Sequence, residues 1–264
     1  MIKHILSLGC TICYAVCANS AFAIDPNDYH FIDLTHSYNS ETLYWPTSTS
    51  KFELEVLEYG ETDGGYFYSA NNYSSPEHGG THLDAPIHFH ANGMATDELP
   101  LEQLIAPAIV INVRDKAAAD RNYRLSVEDV LAFEEAHGRI EPGTAVLLRT
   151  GWARFWPDAE AYLGDDTPGD ASNLSFPSYG EEAVRLLVEE RRVVMLGVDT
   201  ASIDYGRSTD FMVHRIASAR NVVGLENLRA LNELPPTGFT VVALPMKIAG
   251  GSGGPVRVVA MVPR

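Results

Sequence analysis

The segment at residues 78–90 reads HGGTHLDAPIHFH, and it holds four of the nine histidines of the chain together with one aspartate. Gly79, Gly80 and Pro86 in this segment disfavour a helix, because glycine lowers helix propensity and proline breaks the helical hydrogen-bond pattern. Five ionisable side chains lie close together in one short segment that is not a helix. This favours a fold that brings these side chains to one site. We therefore expect an extended or turning segment that binds a metal ion.

The spacing within the segment supports convergence on one point. Side chains alternate in an extended chain, so His82 and Asp84 point the same way and lie about 7 Å apart. Gly79 and Gly80 allow a sharp turn that returns His78 to that point. Imidazole and carboxylate ligands suit zinc, manganese or iron(II), and they do not suit calcium. A polar cluster without a metal, on the surface or with a structural role, is the alternative interpretation.

The first 23 residues have the features of a secretory signal peptide. A short basic region with Lys3 precedes an apolar stretch at residues 5–17, and an A-x-A cleavage motif ends at Ala23. The apolar stretch is too short to span a membrane stably. We expect cleavage after Ala23, one mature domain over residues 24–264, and a periplasmic or secreted protein without a membrane anchor. A buried N-terminal helix is the alternative interpretation.

Composition limits what the mature domain can be. All three cysteines lie within the expected signal peptide, at positions 10, 13 and 17, so the mature domain has no disulfide and no thiolate ligand. A chain of about 240 residues can form a single domain with its own core. The net charge is −16, or −17 once Lys3 is removed. So acidic a protein is a poor nucleic-acid binder, and we expect no nucleic-acid partner.

Apolar runs along the mature chain predict strands, and the run at residues 193–198 is apolar throughout, which suits a sheet covered on both faces. The predicted strands lie at residues 31–34, 52–57, 66–73, 108–113, 145–149, 193–198, 240–244 and 256–262.

Two helices have clear start signals in the sequence. Ser126 and Asp129 form a capping-box-like pair before the first helix, and Gly138 ends it. Ser178 and Glu181 form a similar pair before a second helix that runs to residue 190. The strand-rich first part and mixed second part favour one α/β domain with a mixed β-sheet flanked by helices, and not a doubly wound parallel sheet.

A glycine-rich run at residues 250–255 lacks the Lys-Ser/Thr pair of a phosphate-binding loop and precedes a predicted strand. We interpret it as a tight turn that borders the site. A second histidine–carboxylate pair, His214 and Glu226, follows late in the chain. Glu226 lies among valine, glycine and leucine residues, so we expect it to be buried with a partner or a metal. A surface-exposed helical His214 and a Glu226–arginine ion pair are the alternatives.

Several motifs together resemble the cyclase family of metal-dependent hydrolases, which includes bacterial kynurenine formamidases and isatin hydrolases. The signature H-x-G-T-H-x-D-x-P-x-H-F is present in full, starting at His78. Further matching segments follow in the family's order over nearly all of the mature chain. They are Tyr44-Trp45-Pro46, Arg149-Thr150-Gly151-Trp152, the D-T-x-S-x-D stretch at residues 199–204, the His214–Glu226 spacing, and the closing segment at residues 244–257. After Pro46 the chain has Thr47-Ser48, where formamidases have Gly-Asp.

The resemblance implies a metal centre of one or two Zn²⁺ or Mn²⁺ ions. His78 and His82 would bind the first metal, and His214 would bind the second. Asp84 and Glu226 would bridge the two metals.

The resemblance also implies that His88 is the general acid/base, that Trp45 lines the substrate pocket, and that the protein is a homodimer or homotetramer. We expect a hydrolase that cleaves a C–N bond of a small aryl amide or cyclic imide with metal-activated water. His88 would give a proton to the departing nitrogen. The substrate would be an isatin-type lactam or an N-formylkynurenine-type formamide.

Two alternatives remain open from the sequence. The same site could hydrolyse a lactone or an ester, or the same fold could bind a metal or a ligand without turnover. A proton donor such as His88 favours the enzyme, because a binding protein does not need one beside its metal. A covalent route is not expected, because the mature domain has no cysteine and no Gly-x-Ser-x-Gly elbow between a strand and a helix.

Overall fold

The computed structural model describes residues 25–264, so the expected signal peptide and its cleavage site lie outside the described residues. The strands are β1 Tyr29–Asp33, β2 Glu53–Glu61, β3 Phe67–Ser74, β4 His82–Asp84, β5 Ile105–Asn112, β6 Arg124–Leu125, β7 Ala145–Arg149, β8 Ser178–Tyr179, β9 Met195–Val198, β10 Val223–Glu226, β11 Phe239–Pro245 and β12 Gly253–Pro263. The α-helices are α1 Leu101–Leu104, α2 Arg114–Ala119, α3 Val127–His137, α4 Ala159–Leu163, α5 Glu181–Arg185 and α6 Met212–Ser218. Short 3₁₀ helices span Pro26–Asp28, Pro86–His88, Thr96–Glu98, Trp152–Phe155 and Leu231–Glu233, and a π-helical turn, Leu186–Glu190, continues α5.

Most of the strands form one closed mixed barrel in the order β12–β11–β5–β7–β9–β10–β4. β4 closes the ring, because it pairs with β10 on one side and with the start of β12 on the other. β5, β7, β9 and β10 run parallel, whereas β4, β11 and β12 join the ring through antiparallel pairs. β1 extends the sheet along the end of β12. The predicted mixed α/β sheet is confirmed.

Side chains of the central strands alternate between two apolar layers. In β5, Ala106, Ala108 and Val110 pack into the cluster inside the barrel, and Ile109 and Ile111 pack against the helices outside. β7 and β9 divide their side chains in the same way. Both faces of these strands are therefore buried, which explains why the sequence shows continuous apolar runs rather than alternation.

The first predicted helix is confirmed in detail. The Ser126 hydroxyl accepts a hydrogen bond from the Asp129 amide at 3.3 Å, and the Asp129 carboxylate accepts one from the Ser126 amide at 3.0 Å. This reciprocal capping box begins α3, and Gly138 at φ 91° ends it. Such a glycine tolerates the positive φ that terminates a helix.

The second predicted helix is present, but its predicted cap is wrong. Helix α5 begins at Glu181, and Gly180 rather than Ser178 is its N-cap. Ser178 lies in β8, where its hydroxyl is 2.7 Å from the carbonyl oxygens of Ser202 and Ile203. Pairing with a distant segment therefore outweighs the local capping signal.

Strands β2 and β3 form a hairpin outside the barrel, over residues 53–74, which we call the arm. The strand register divides its side chains between two faces. One face is mainly apolar and uncovered, although it also carries Glu61. Its large apolar side chains are each at least 54% exposed: Leu54, Val56, Tyr59, Phe67 and Tyr73. The other face carries acidic side chains: Glu53, Glu55 and Glu58.

Across residues 25–264, the helices are too short or too polar to cross a bilayer.

Candidate metal centre and active site

Strand β4 and the turn before it position the first group of site residues. His82 and Asp84 lie on the same side of β4, as the alternation predicts, and both are buried. Gly79 at φ 139° and Gly80 at φ 57° form the turn that returns His78 toward the strand. As a result, His78 Nδ1 lies 2.7 Å from Asp84 Oδ1. The expected convergence of the three side chains is therefore observed.

Helix α6 and strand β10 position the second group. Register places Glu226 directly opposite His82 on β4, and Glu226 is only 5% exposed. His214 lies on the buried face of α6, with its Nε2 3.2 Å from Asp84 Oδ2 and 3.2 Å from Glu226 Oε1. Both alternatives for this pair are wrong, because His214 is buried and the partners of Glu226 are histidines rather than an arginine.

Each of the two carboxylates offers one oxygen to each group of histidines. Asp84 Oδ1 lies toward His78 and His82, whereas Oδ2 lies toward His214. Glu226 Oε2 is 3.5 Å from His82 Nε2, whereas Oε1 faces His214. Two sets of potential ligands result, His78–His82–Asp84 and Asp84–His214–Glu226, and Asp84 belongs to both. Glu226 belongs to one set, but it also contacts His82 of the other.

The donor atoms fit a transition-metal ion. Ligand atoms bound tetrahedrally at about 2.1 Å from zinc lie about 3.4 Å apart, close to several of the nitrogen–oxygen distances between these side chains. The outer nitrogens of the imidazoles are held by acceptors, as is usual for metal-binding histidines. His82 Nδ1 is 3.0 Å from the Gly80 carbonyl oxygen, and His214 Nδ1 is 2.7 Å from Asp204 Oδ2. The residues present therefore fit one or two divalent ions.

The carboxylates control protonation in this cluster. Burial favours a neutral imidazole, but Asp84 and Glu226 outweigh it and raise the pKa of His82 to about 9. Burial likewise opposes charge on His214, yet hydrogen bonds to Asp204, Asp84 and Glu226 raise its pKa well above the usual value. Burial disfavours the ionised form of Asp84, but the surrounding histidines lower its pKa well below the usual value.

The two ligand groups lie on the wall of a cavity of about 260 Å³. Aromatic residues line another part of the wall, and Trp45 packs against Phe211 with ring centroids 6.3 Å apart. His88 stacks on His78 with centroids 3.8 Å apart, and burial is the main cause that lowers the pKa of His88 to about 4. All the predicted site residues line this cavity: Trp45, His78, His82, Asp84, His88, His214 and Glu226. His90 lines a different surface cavity.

Comparisons with known proteins agree with this geometry. The family model named Cyclase matches residues 32–205. The chain belongs to the cyclase family. An isatin hydrolase of Roseibium aggregatum is 33% identical over 226 residues, which cover 82% of this chain and 83% of that protein. A kynurenine formamidase of Salinibacter ruber is 29% identical over 228 residues, which cover 86% of this chain and 95% of that protein.

The solved structure of isatin hydrolase A from Ralstonia solanacearum superposes on this cyclase-family chain with a TM-score of 0.81. The two sequences are 33% identical, and the match covers 89% of this chain and 93% of that chain. Family and fold together show that the protein is a hydrolase.

Asp204 belongs to the D-T-x-S-x-D stretch, but the sequence does not predict its role in the site. Asp204 accepts hydrogen bonds from the amides of Val213 and His214, both at 3.1 Å, and also holds the His214 ring. It thus fixes both the start of α6 and the direction of one ligand. Phe211, with φ 51°, was also missed. No local sequence pattern predicts a phenylalanine whose backbone is in the left-handed conformation.

Ser252 borders the site, as predicted for the glycine-rich turn. Its Oγ is 2.9 Å from His78 Nε2 and 2.6 Å from Glu77 Oε2. The letters around Ser252 match G-x-S-x-G, and with His78 and Asp84 they give the outline of a Ser-His-Asp triad. Ser252 does not line the cavity, however, and its turn leads into β12 rather than a helix. Ser252 therefore orients His78 and is not placed to attack a substrate.

Proposed function

We propose that this cyclase-family protein hydrolyses the C–N bond of a small aryl amide or cyclic imide. The observation that carries the proposal is the carboxylate of Asp84, which belongs to both sets of potential ligands, with Glu226 beside His82 and His214, in a cavity that also has aromatic walls. An isatin-type lactam is the first candidate substrate, and an N-formylkynurenine-type formamide is the second. The likeness to the two isatin hydrolases supports this order, as does Thr47-Ser48 in place of Gly-Asp.

His78, His82 and His214, together with the two carboxylates, would hold one or two Zn²⁺ or Mn²⁺ ions. Such an ion, when bound, lowers the pKa of water toward about 7 and polarises a carbonyl oxygen. The buried carboxylates keep the ligand set in place. Trp45 and Phe211, whose rings are tilted by 57° to each other, provide aromatic surface against which an aryl ring can pack.

His88 would move the proton in this reaction. Its lowered pKa of about 4 keeps the imidazole neutral near pH 7, so it can accept a proton as water adds to the carbonyl carbon. His88 then delivers that proton to the nitrogen as the C–N bond breaks, because an amine does not leave as an anion. The products are a carboxylate and an amine, which remain joined if the substrate is a lactam.

The test is a turnover screen of the purified mature protein, loaded with Mn²⁺ or Zn²⁺, against isatin, N-formylkynurenine and nitrophenyl esters. We expect turnover of an amide or lactam that disappears on chelation and returns with added metal. Esters alone as substrates would favour the esterase or lactonase alternative. Tight metal binding with no turnover of any of these compounds would favour a binding protein.

We further propose that the protein is exported and works as a homodimer or homotetramer. The N-terminal sequence supports export, and intact mass of the exported product should correspond to a start at Ile24. The uncovered apolar face of the arm supports self-association, because alternating strands of this kind normally bury one face. Light scattering of the mature protein should give a dimer or larger mass, and Tyr59→Ser with Phe67→Ser should reduce it.

A further inference from the structure

A second cavity, of about 550 Å³, opens beside the carboxyl ends of the parallel strands β5, β7 and β9. In α/β proteins, ligands bind preferentially at this end of a parallel sheet. Four of the 19 basic residues of the chain line the cavity: Arg114, Arg149, Arg154 and Arg229. We call it the arginine cavity. Such a local excess of positive charge in a protein of net charge −16 suggests a binding role.

The charges of these arginines are not neutralised by neighbours. Among residues 25–264, Lys116, Arg185, Arg191, Arg220 and Arg257 form ion pairs, whereas none of the four guanidinium groups of the arginine cavity does. A group of unpaired guanidinium ions is normally stabilised by a bound anion or by solvent.

Two acidic residues also line the arginine cavity. The Asp199 carboxylate is buried, and it accepts hydrogen bonds from the amides of Thr150, Gly151 and Trp152 and from the Thr150 hydroxyl. The Asp199 carboxylate therefore stabilises the R-T-G-W turn. Glu233 is exposed and remains as a repulsive group for any anion that enters.

His36 and Trp156 form an aromatic part of the cavity wall. Their rings stack with centroids 4.3 Å apart and an interplanar angle of 15°. His36 Nε2 is buried and has no hydrogen-bond partner within the described residues. Burial, aided by the positive charge of Arg229, lowers the pKa of His36 to about 4, so the ring is neutral near pH 7. A buried ring nitrogen without a partner is uncommon in native structures, so a polar partner is missing at this part of the wall.

We propose that the arginine cavity binds a small aromatic carboxylate. Guanidinium groups form paired hydrogen bonds with the two oxygens of a carboxylate, and the stacked rings of Trp156 and His36 give the wall aromatic surface against which an aromatic ring can pack. The site is separate from the metal cavity, because the two cavities share no lining residue. The Tyr162 hydroxyl lies 3.0 Å from Asn227 Oδ1, on the metal side, and 3.3 Å from the Asp199 carbonyl oxygen.

The test is calorimetric titration of the metal-loaded mature protein with benzoate, acetate and inorganic phosphate. Arg149→Gln and Arg229→Gln should each weaken benzoate binding about tenfold, because a hydrogen bond to a charged group is lost. Glu233→Gln should tighten it, because a repulsive charge is removed. Arg139→Gln, an exposed arginine outside the cavity, is the matched control and should leave the affinity unchanged.

Benzoate should bind more tightly than acetate or phosphate. Equal affinities for acetate and benzoate, or tighter binding of phosphate, would overturn the assignment to an aromatic carboxylate. Unchanged benzoate affinity in both arginine variants would place the bound molecule elsewhere, including at the metal. If Arg149→Gln does not fold, the exposed Arg154→Gln takes its place. Because binding is measured without turnover, the result is independent of the proposed hydrolase activity.

Discussion

The metal cavity and the arginine cavity are neighbours, yet the pKa of His82 in the first and the pKa of His36 beside the second shift in opposite directions. Burial by itself lowers the pKa of a histidine in either place. In the metal cavity, Asp84 and Glu226 outweigh burial and raise the pKa of His82 to about 9. Beside the arginine cavity, Arg229 adds to the effect of burial, and the pKa of His36 falls to about 4. Local charges rather than depth thus decide what each cavity can bind, a cation in one and an anion in the other.

The strongest test of the metal side is Asp84→Asn, which removes the carboxylate that belongs to both ligand groups. We expect metal and activity to be lost together, with the rate falling to background. Elemental analysis measures the metal, and circular dichroism checks that the variant folds. A folded Asp84→Asn protein with a full complement of metal would mean that the cavity does not depend on this carboxylate.

His88→Ala should separate metal binding from chemistry. Without the proton carrier, kcat for amides should fall about 10²–10⁴-fold. Most of the metal should remain, because His88 stacks on a ligand but is not in either ligand group. Nitrophenyl esters should lose less activity, since their leaving group needs no proton. Loss of metal, with equal losses for both substrate classes, would instead make His88 a ligand.

Asp204→Asn tests whether the outer partner of His214 matters. The amide keeps the size of the side chain but removes the charge that holds His214 Nδ1 at 2.7 Å. Metal affinity should fall about 10–100-fold, as for other groups that orient metal-bound histidines. Competition with a fluorescent chelator measures this affinity. Asp210→Asn, an exposed aspartate nearby, is the control and should have no effect.

The smallest effect is expected at His36. The folded chain binds a proton on His36 only near pH 4, whereas the unfolded chain binds it near pH 6.5. His36 therefore makes the protein less stable as the pH falls from 6.5 to 4, and it adds no further change below pH 4. Denaturant unfolding across this range should show a shallower pH dependence of the free energy of unfolding in His36→Gln.

In Arg229→Gln, NMR titration should show the pKa of His36 shifted upward.

The sequence predicted the long strands well but not the short strands that carry the site. Long strands such as β5 and β7 are apolar runs, and burial on both faces over most of their length makes them visible in the sequence. β4 is three residues long, and two of them are ionisable. β4 and β10 are strands only because they pair with each other and with β9 and β12, which are distant in sequence. The site residues were found through their spacing and the family signature instead.

The arginine cavity could not be predicted from local patterns. Its arginines come from three separate segments of the chain, and the pairing of β5, β7, β9 and β10 brings Arg114 and Arg229 to one cavity. The R-T-G-W and D-T-x-S-x-D segments were noticed separately, but their meeting through Thr150 and Asp199 depends on the pairing of β7 with β9. Contacts of this kind, between residues that are distant in sequence, produce no periodic pattern from which they could be predicted.

The arm connects self-association of the protein with the metal centre. Its two strands join the rest of the chain between Trp45, on the substrate wall, and His78, a ligand in the first group. If self-association through the arm fixes these attachment points, assembly and metal binding are thermodynamically coupled, and each must strengthen the other by the same factor. Diluting the protein would then promote loss of its metal, and chelating the metal would promote dissociation into single chains.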